Sequence, residues 1–169
     1  PAADFTSDPK YPDKRMLPEA VVNFMDRSAR AWTWSWNFGD GAGSTVQNPS
    51  HEYTRPGEYW VKLAVTNEVG CRTEIMHGPY IIVEPEIFIP NVFSPNDDDV
   101  NDEFLIRYTG NQPFNLSVFD RWGNVLYSSR DKYAGWNGTY KNEAVPAGVY
   151  YYTLTILDKE YSGNVTLVR

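Results

Sequence analysis

Short runs of alternating apolar and polar residues recur along this chain, each closed by Gly, Pro, Asn or Asp. Trp32, Trp34, Trp36 and Phe38 fall on one face of an extended segment, with Thr33, Ser35 and Asn37 on the other. Tyr59, Val61, Leu63 and Val65 repeat the pattern, with Lys62 and Thr66 facing away. Further strands are expected at Phe5, at 20–25, near 71–76 and at 80–83. Beyond residue 85 the same reading gives strands at 87–93, 103–108, 114–120, 124–128, 149–157 and 160–168. In the fifth of these, Tyr150, Tyr152, Leu154 and Ile156 share a face. No window carries an apolar stripe of period 3.6 with caps at both ends, so no helix is expected.

The pattern therefore predicts an all-β chain. Glu84-Pro85-Glu86 interrupts it, because proline cannot donate to a ladder. This places a boundary between residues 1–85 and 86–169 and predicts two tandem β-sandwiches joined by a short linker, a fold that the resemblances below make immunoglobulin-like. Aromatics make up 15% of the 169 residues, a composition that suits pleated sheets. Net charge is −7, from 8 cations against 11 acids before the boundary and 7 against 11 after it. Neither half could neutralise a run of phosphates, which argues against a nucleic-acid partner. No stretch approaches 18 consecutive apolar residues, so no transmembrane segment is expected. The opening Pro1-Ala2-Ala3-Asp4 has no charged n-region or apolar h-region and reads as a mature chain or a fragment.

Catalysis needs convergent reactive groups, and few are present. His51 is expected to hydrogen-bond within a turn leading into a strand, and His77 to sit in an exposed loop. Cys71 could pair with a histidine as a nucleophile, but no local signature supports that, and a half-buried strand position is expected instead. Gly39-Asp40-Gly41 reads as a β-turn supported by the aspartate side chain. The chain is not expected to be an enzyme.

One loop is chemically sharp. Five carboxylates fall in the seven positions from 97 to 103, and they repel one another unless solvated or neutralised. Asn96, Asp98, the Val100 carbonyl and Asp102 give an every-second-residue oxygen series of the kind that calcium accepts. Calcium is one reading, and a solvated acidic turn between strands is the other. Trp60 and Tyr151 are expected to face outward, where rings stack on sugars, fill partner pockets or cover an edge.

Particular motifs then carry two resemblances. Trp36-Asn37-Phe38-Gly39-Asp40-Gly41, Asn48-Pro49-Ser50-His51-Glu52-Tyr53 and the run from Gly57 to Asn67 occur in order, and residues 3–84 resemble a PKD domain. That implies an immunoglobulin-like spacer or adhesion module. Ile89-Pro90-Asn91-Val92-Phe93-Ser94-Pro95-Asn96, Asp120-Arg121-Trp122-Gly123, Trp136-Asn137-Gly138 and Gly148-Val149-Tyr150-Tyr151-Tyr152 belong to a second set. Residues 87–169 resemble the gliding motility-associated C-terminal domain, the type B sorting signal of type IX secretion in Bacteroidota. That family usually carries glycine where Asp97 and Asp99 stand, and aspartate adopts positive φ less readily than glycine.

The second resemblance implies a tag that directs upstream cargo domains through the type IX secretion translocon. It also implies an outer-membrane attachment protein as partner, and a secreted location at the bacterial cell surface. A folded tag is read by its surface. The turn Asp120, Arg121, Trp122 and Gly123 is the first candidate, since it offers a fork donor and a large ring. A purely structural role for the same turn, with Trp122 plugging the sandwich end, is the competing reading. The strand ending in Arg169 is the second candidate, as a chain end able to augment a partner's sheet. The alternative for the whole chain is a cell-surface adhesin or glycan-binding module using Trp60 and nearby aromatics.

Overall fold

Period-two alternation becomes paired strands throughout Pro1–Arg169, the residues that the computed structural model describes. The chain is all-β and divides into two units, Pro1–Pro85 and Glu86–Arg169. Each unit is a β-sandwich with its own apolar core.

The first unit holds β1 (Phe5–Asp8), β2 (Lys14–Met16), β3 (Ala20–Asp26), β4 (Thr33–Asn37), β5 (Gly43–Ser44), β6 (Ser50–Tyr53), β7 (Gly57–Thr66) and β8 (Arg72–Val83). One sheet runs β1-β3-β6 and the other β2-β8-β7-β4-β5, antiparallel except where β2 joins β8. Phe5, Phe24, Trp36, Leu63 and Ile82 fill the space between them. The Phe24 ring lies 5.5 Å from Trp36 and 5.3 Å from Phe38, the spacing at which aromatic quadrupoles add to area burial.

Four expectations change here. The strands expected at 71–76 and 80–83 are one strand, β8, whose pairing with β7 shifts between Tyr59 and Val61 so that Gly78 and Pro79 bulge out. His77 therefore lies in a strand rather than a loop, its ring 4.4 Å from Phe5. Trp32 falls outside β4 and is exposed, because pairing with β7 begins at Thr33. Cys71 is exposed in the β7–β8 turn, its N–H donating to Asn67, and is not a half-buried strand residue.

The second unit holds β9 (Ile87–Phe88), β10 (Val92–Phe93), β11 (Arg107–Tyr108), β12 (Phe114–Phe119), β13 (Val125–Ser129), β14 (Thr139–Tyr140), β15 (Glu143–Ala144), β16 (Gly148–Ile156) and β17 (Lys159–Leu167). Its main sheet runs β10-β17-β16-β12-β13, and β9 with β11 and β14 with β15 form two small ribbons. Trp136 is the largest fully buried side chain, its indole N–H donating to the Thr139 carbonyl at 2.8 Å. The strand expected at 87–93 splits. Pro90 has no N–H to give a ladder, so β9 pairs with β11 while β10 crosses to β17. The strand expected at 103–108 shrinks to β11, with Phe104 joined to Trp136 by an isolated bridge.

Candidate functional site

The β12–β13 turn is built by one carboxylate. Asp120 Oδ1 accepts the N–H groups of Trp122 at 2.8 Å and Asn124 at 2.9 Å, and Oδ2 accepts the Asn124 side-chain amide at 2.8 Å. The Gly123 N–H closes the turn on the Asp120 carbonyl at 3.1 Å, and Gly123 takes φ of 83°, where a Cβ would be strained. The Asn124 side chain leads the effects on the Asp120 carboxyl and, with the turn amides, holds it below the usual carboxylate range against partial desolvation. Asp120 and Gly123 are thus structural, whereas the side chains between them are free. Trp122 is 80% exposed and plugs nothing. Arg121 is exposed and in no ion pair, for the chain's pairs are His51–Asp40 and Lys62–Glu74. The turn presents a guanidinium and an indole on a fixed support.

Arg169 is placed differently from the expectation. Its Nε donates to the Val145 carbonyl and its Nη2 to the Gly138 carbonyl, both at 3.1 Å, so its guanidinium staples this unit to itself. The neighbouring backbone is also engaged: β10 pairs with Thr166 and Leu167, and the Val168 N–H donates to Phe93. The last residues of the strand therefore offer no free edge for a partner's sheet, whereas β17 before Thr166 has no strand beside it on that side.

The acidic loop turns its oxygens inward. Asp102 Oδ1 accepts the N–H groups of Asn96 and Asp97 at 2.9 Å, and Oδ2 that of Asp99 at 2.8 Å. Asp98 accepts the Val100 N–H and the Asn96 side-chain amide, each at 2.9 Å. Desolvation works to raise the Asp102 carboxyl, but the loop amides outweigh it and hold the group low. Asp97, Asp99 and Asn101 take φ of 60°, 64° and 54°, so the left-handed geometry survives without glycine. No three His, Cys, Asp or Glu side chains converge on a point that could hold a metal ion. The set Asn96, Asp98, Val100 and Asp102 brings two carboxylates, which carry the loop's amide hydrogen bonds whether or not calcium joins them.

Elsewhere Asp40 supports its turn, Oδ1 accepting the Ala42 N–H at 3.0 Å, while Oδ2 meets His51 Nε2 at 2.7 Å. The imidazole stacks on Phe38 at 4.2 Å and 7°. Trp60 and Tyr151 both face outward. What the sequence reasoning missed is the company that Trp122 keeps: Phe119 and Val125, abreast of each other and of Tyr151, lie at the base of its turn. Alternation marked the face of each of these residues, but only the pairing brings the faces together.

The comparisons with known proteins agree with this two-part organisation. Residues 1–81 match the PKD domain, and residues 87–167 match the CHU_C Type IX secretion signal domain. Among solved structures, the chain is similar to the PKD1 domain of the Vibrio cholerae metalloprotease PrtV at 24% identity. That match covers 49% of this chain and 98% of the other, with a TM-score of 0.42. It is similar to the PKD1 domain of Vibrio anguillarum Epp at 27% identity, covering 48% and 93%, with a TM-score of 0.38. Fibronectin(III)-like modules of Clostridium thermocellum CbhA align at 13% identity over 97% of this chain and 93% of theirs, with a TM-score of 0.38. No curated protein matches. The chain is composed of a PKD domain followed by a CHU_C Type IX secretion signal domain.

Proposed function

We propose that residues 86–169 are a sorting signal that takes attached cargo through the type IX secretion translocon to the surface of a Bacteroidota cell, where an outer-membrane protein holds it. Residues 1–85 act as a spacer between cargo and signal. The match of residues 87–167 to a type IX secretion signal domain carries this reading. The arrangement of the second unit supports it: a self-contained core and a rigid turn that displays Arg121 and Trp122. No helix is long and apolar enough to cross a membrane, and in this reading a partner protein provides the attachment. Both families are non-catalytic, and the polar clusters found serve turns and loops.

Necessity tests the reading. The whole chain is fused behind a Sec leader and a fluorescent reporter in a type IX-competent strain, and beside it a version cut after Pro85. The full fusion delivers the reporter to the cell surface, and the shortened one leaves it in the periplasm. Equal surface delivery by both contradicts the proposal.

A further inference from the structure

The outer face of the five-stranded sheet in the second unit is not uniform, and cross-strand pairing lays it out in rows. Val92, Thr166 and Val149 stand abreast on β10, β17 and β16. In the next row Asn164, Tyr151, Phe119 and Val125 stand abreast on β17, β16, β12 and β13. The row after that is all hydroxyl: Ser162, Thr153, Ser117 and Ser128. Residues of the opposite parity, such as Phe93, Tyr150 and Val118, are buried, so these rows face away from the core. One end of the face is therefore apolar over β16, β12 and β13, the next row is hydroxylic, and Glu160, Thr155 and Asn115 follow beyond it.

Val92, Tyr151, Val149 and Val125 are each 45–51% exposed. Val149, Tyr151, Phe119 and Val125 lie on three neighbouring strands, so two spacings of about 4.8 Å give the apolar set a width of roughly 10 Å, with Val92 set apart by Thr166 and Asn164. Trp122 and Arg121 continue it, because their turn joins Phe119 to Val125. Single exposed apolar residues are ordinary, whereas a contiguous set ending in a fully displayed tryptophan marks an interaction surface.

We propose that this end of the sheet, together with Trp122 and Arg121, is a docking surface for a protein partner presenting an apolar ridge that bears a carboxylate. The charge pattern selects that occupant. The unit carries −4 overall, yet the free charge on the turn at this end of the row is the unpaired Arg121. The adjacent carboxylate, Asp120, has both oxygens committed to its turn. A second copy of the chain would set the same cation against the first, and the face's own acid, Glu160, stands two rows beyond Tyr151, so the patch is not self-complementary. A lone arginine on an acidic unit is also no match for an anionic lipid surface. A partner's carboxylate can take the guanidinium's fork, with an apolar ridge against Tyr151 and Val149. This inference rests on the sorting reading, in which the partner belongs to the secretion or attachment machinery.

The test uses the full chain behind a Sec leader and reporter in a type IX-competent strain. It compares Tyr151→Ser, Arg121→Glu and, as a control on the hydroxyl rows, Thr153→Glu. Tyr151→Ser and Arg121→Glu are expected to lower surface-displayed reporter about tenfold, the scale of one hot-spot residue, while Thr153→Glu leaves it unchanged. Arg121 lies on the exposed turn, so Arg121→Glu keeps the result readable even if Tyr151→Ser lowers the melting temperature. Wild-type display with both variants equal to wild type overturns the docking surface and leaves the sorting reading standing. A wild-type chain that stays in the periplasm overturns both. Sedimentation showing a wild-type dimer that Tyr151→Ser dissociates assigns the face to a second copy and overturns the proposed partner.

Discussion

Single side chains hold the turns of this molecule, and two of them make sharp predictions. Desolvation acts to raise the Asp40 carboxyl, but the Ala42 amide and His51 outweigh it and leave the group below 3.8. A carboxylate depressed on folding contributes stability above its unfolded value and loses it as pH falls through the folded one. Asp40→Asn is therefore expected to lower the melting temperature of the first unit at pH 7 by an amount worth about 1 kcal/mol, or several degrees. The gap between variant and wild type should close as pH drops below 3.8, and thermal scans across pH 2–7 measure it. Gly39 offers a steric counterpart. It takes φ of 88°, and a Cβ there would stand 2.7 Å from the Trp60 carbonyl, whereas one on Gly41, at φ of 95°, would meet open space. Gly39→Ala should cost about 1–3 kcal/mol, and Gly41→Ala distinctly less, by chemical denaturation.

At the scale of elements, alternation was a sufficient guide where a strand is buried on one face and paired along its length. Leu63 and Val65 in β7 and Leu154 and Ile156 in β16 lie where their periodicity places them. It misled where pairing, rather than pattern, decides. Trp32 carries the right period but lies one residue before the ladder begins. Residues 87–93 read as one strand, yet Pro90 divides them between two sheets. His77 looked like a loop residue because Gly78-Pro79 follows it, and a bulge in β8 absorbs those two positions instead. In the loop at 96–103, spacing revealed the oxygens but not the backbone amides that hold them in place, which only closure of the loop decides. Millimolar calcium is accordingly expected to leave the melting temperature of the second unit unchanged. Asp102→Ala should lower it, and that effect should vanish under acid, since the Asp102 carboxyl is also depressed. A calcium-dependent rise in melting temperature would reinstate the cation reading.

For the whole molecule, two separate cores mean that either unit can be perturbed through its own centre. Trp136 has 1% exposure and a single indole hydrogen bond, so Trp136→Ala should destabilise residues 86–169 by about 3–5 kcal/mol. Core fluorescence or calorimetry of that unit expressed alone would record the loss. The candidate site was legible in part. Asp120-Arg121-Trp122-Gly123 stood out as a motif, and the structure divides it into two residues that build the turn and two that the turn displays. The sheet face beside it was not legible, because the neighbours of Tyr151 come from strands distant in sequence.

On the proposed reading, the second unit by itself is an address, read through its folded surface. Sufficiency measures this most directly: a Sec leader and fluorescent reporter joined to residues 86–169 alone, in a type IX-competent strain and in an isogenic strain lacking the translocon. Reporter is expected to be accessible to external protease in the first strain and protected within the periplasm in the second. Protection in both strains, or exposure in both, would contradict it.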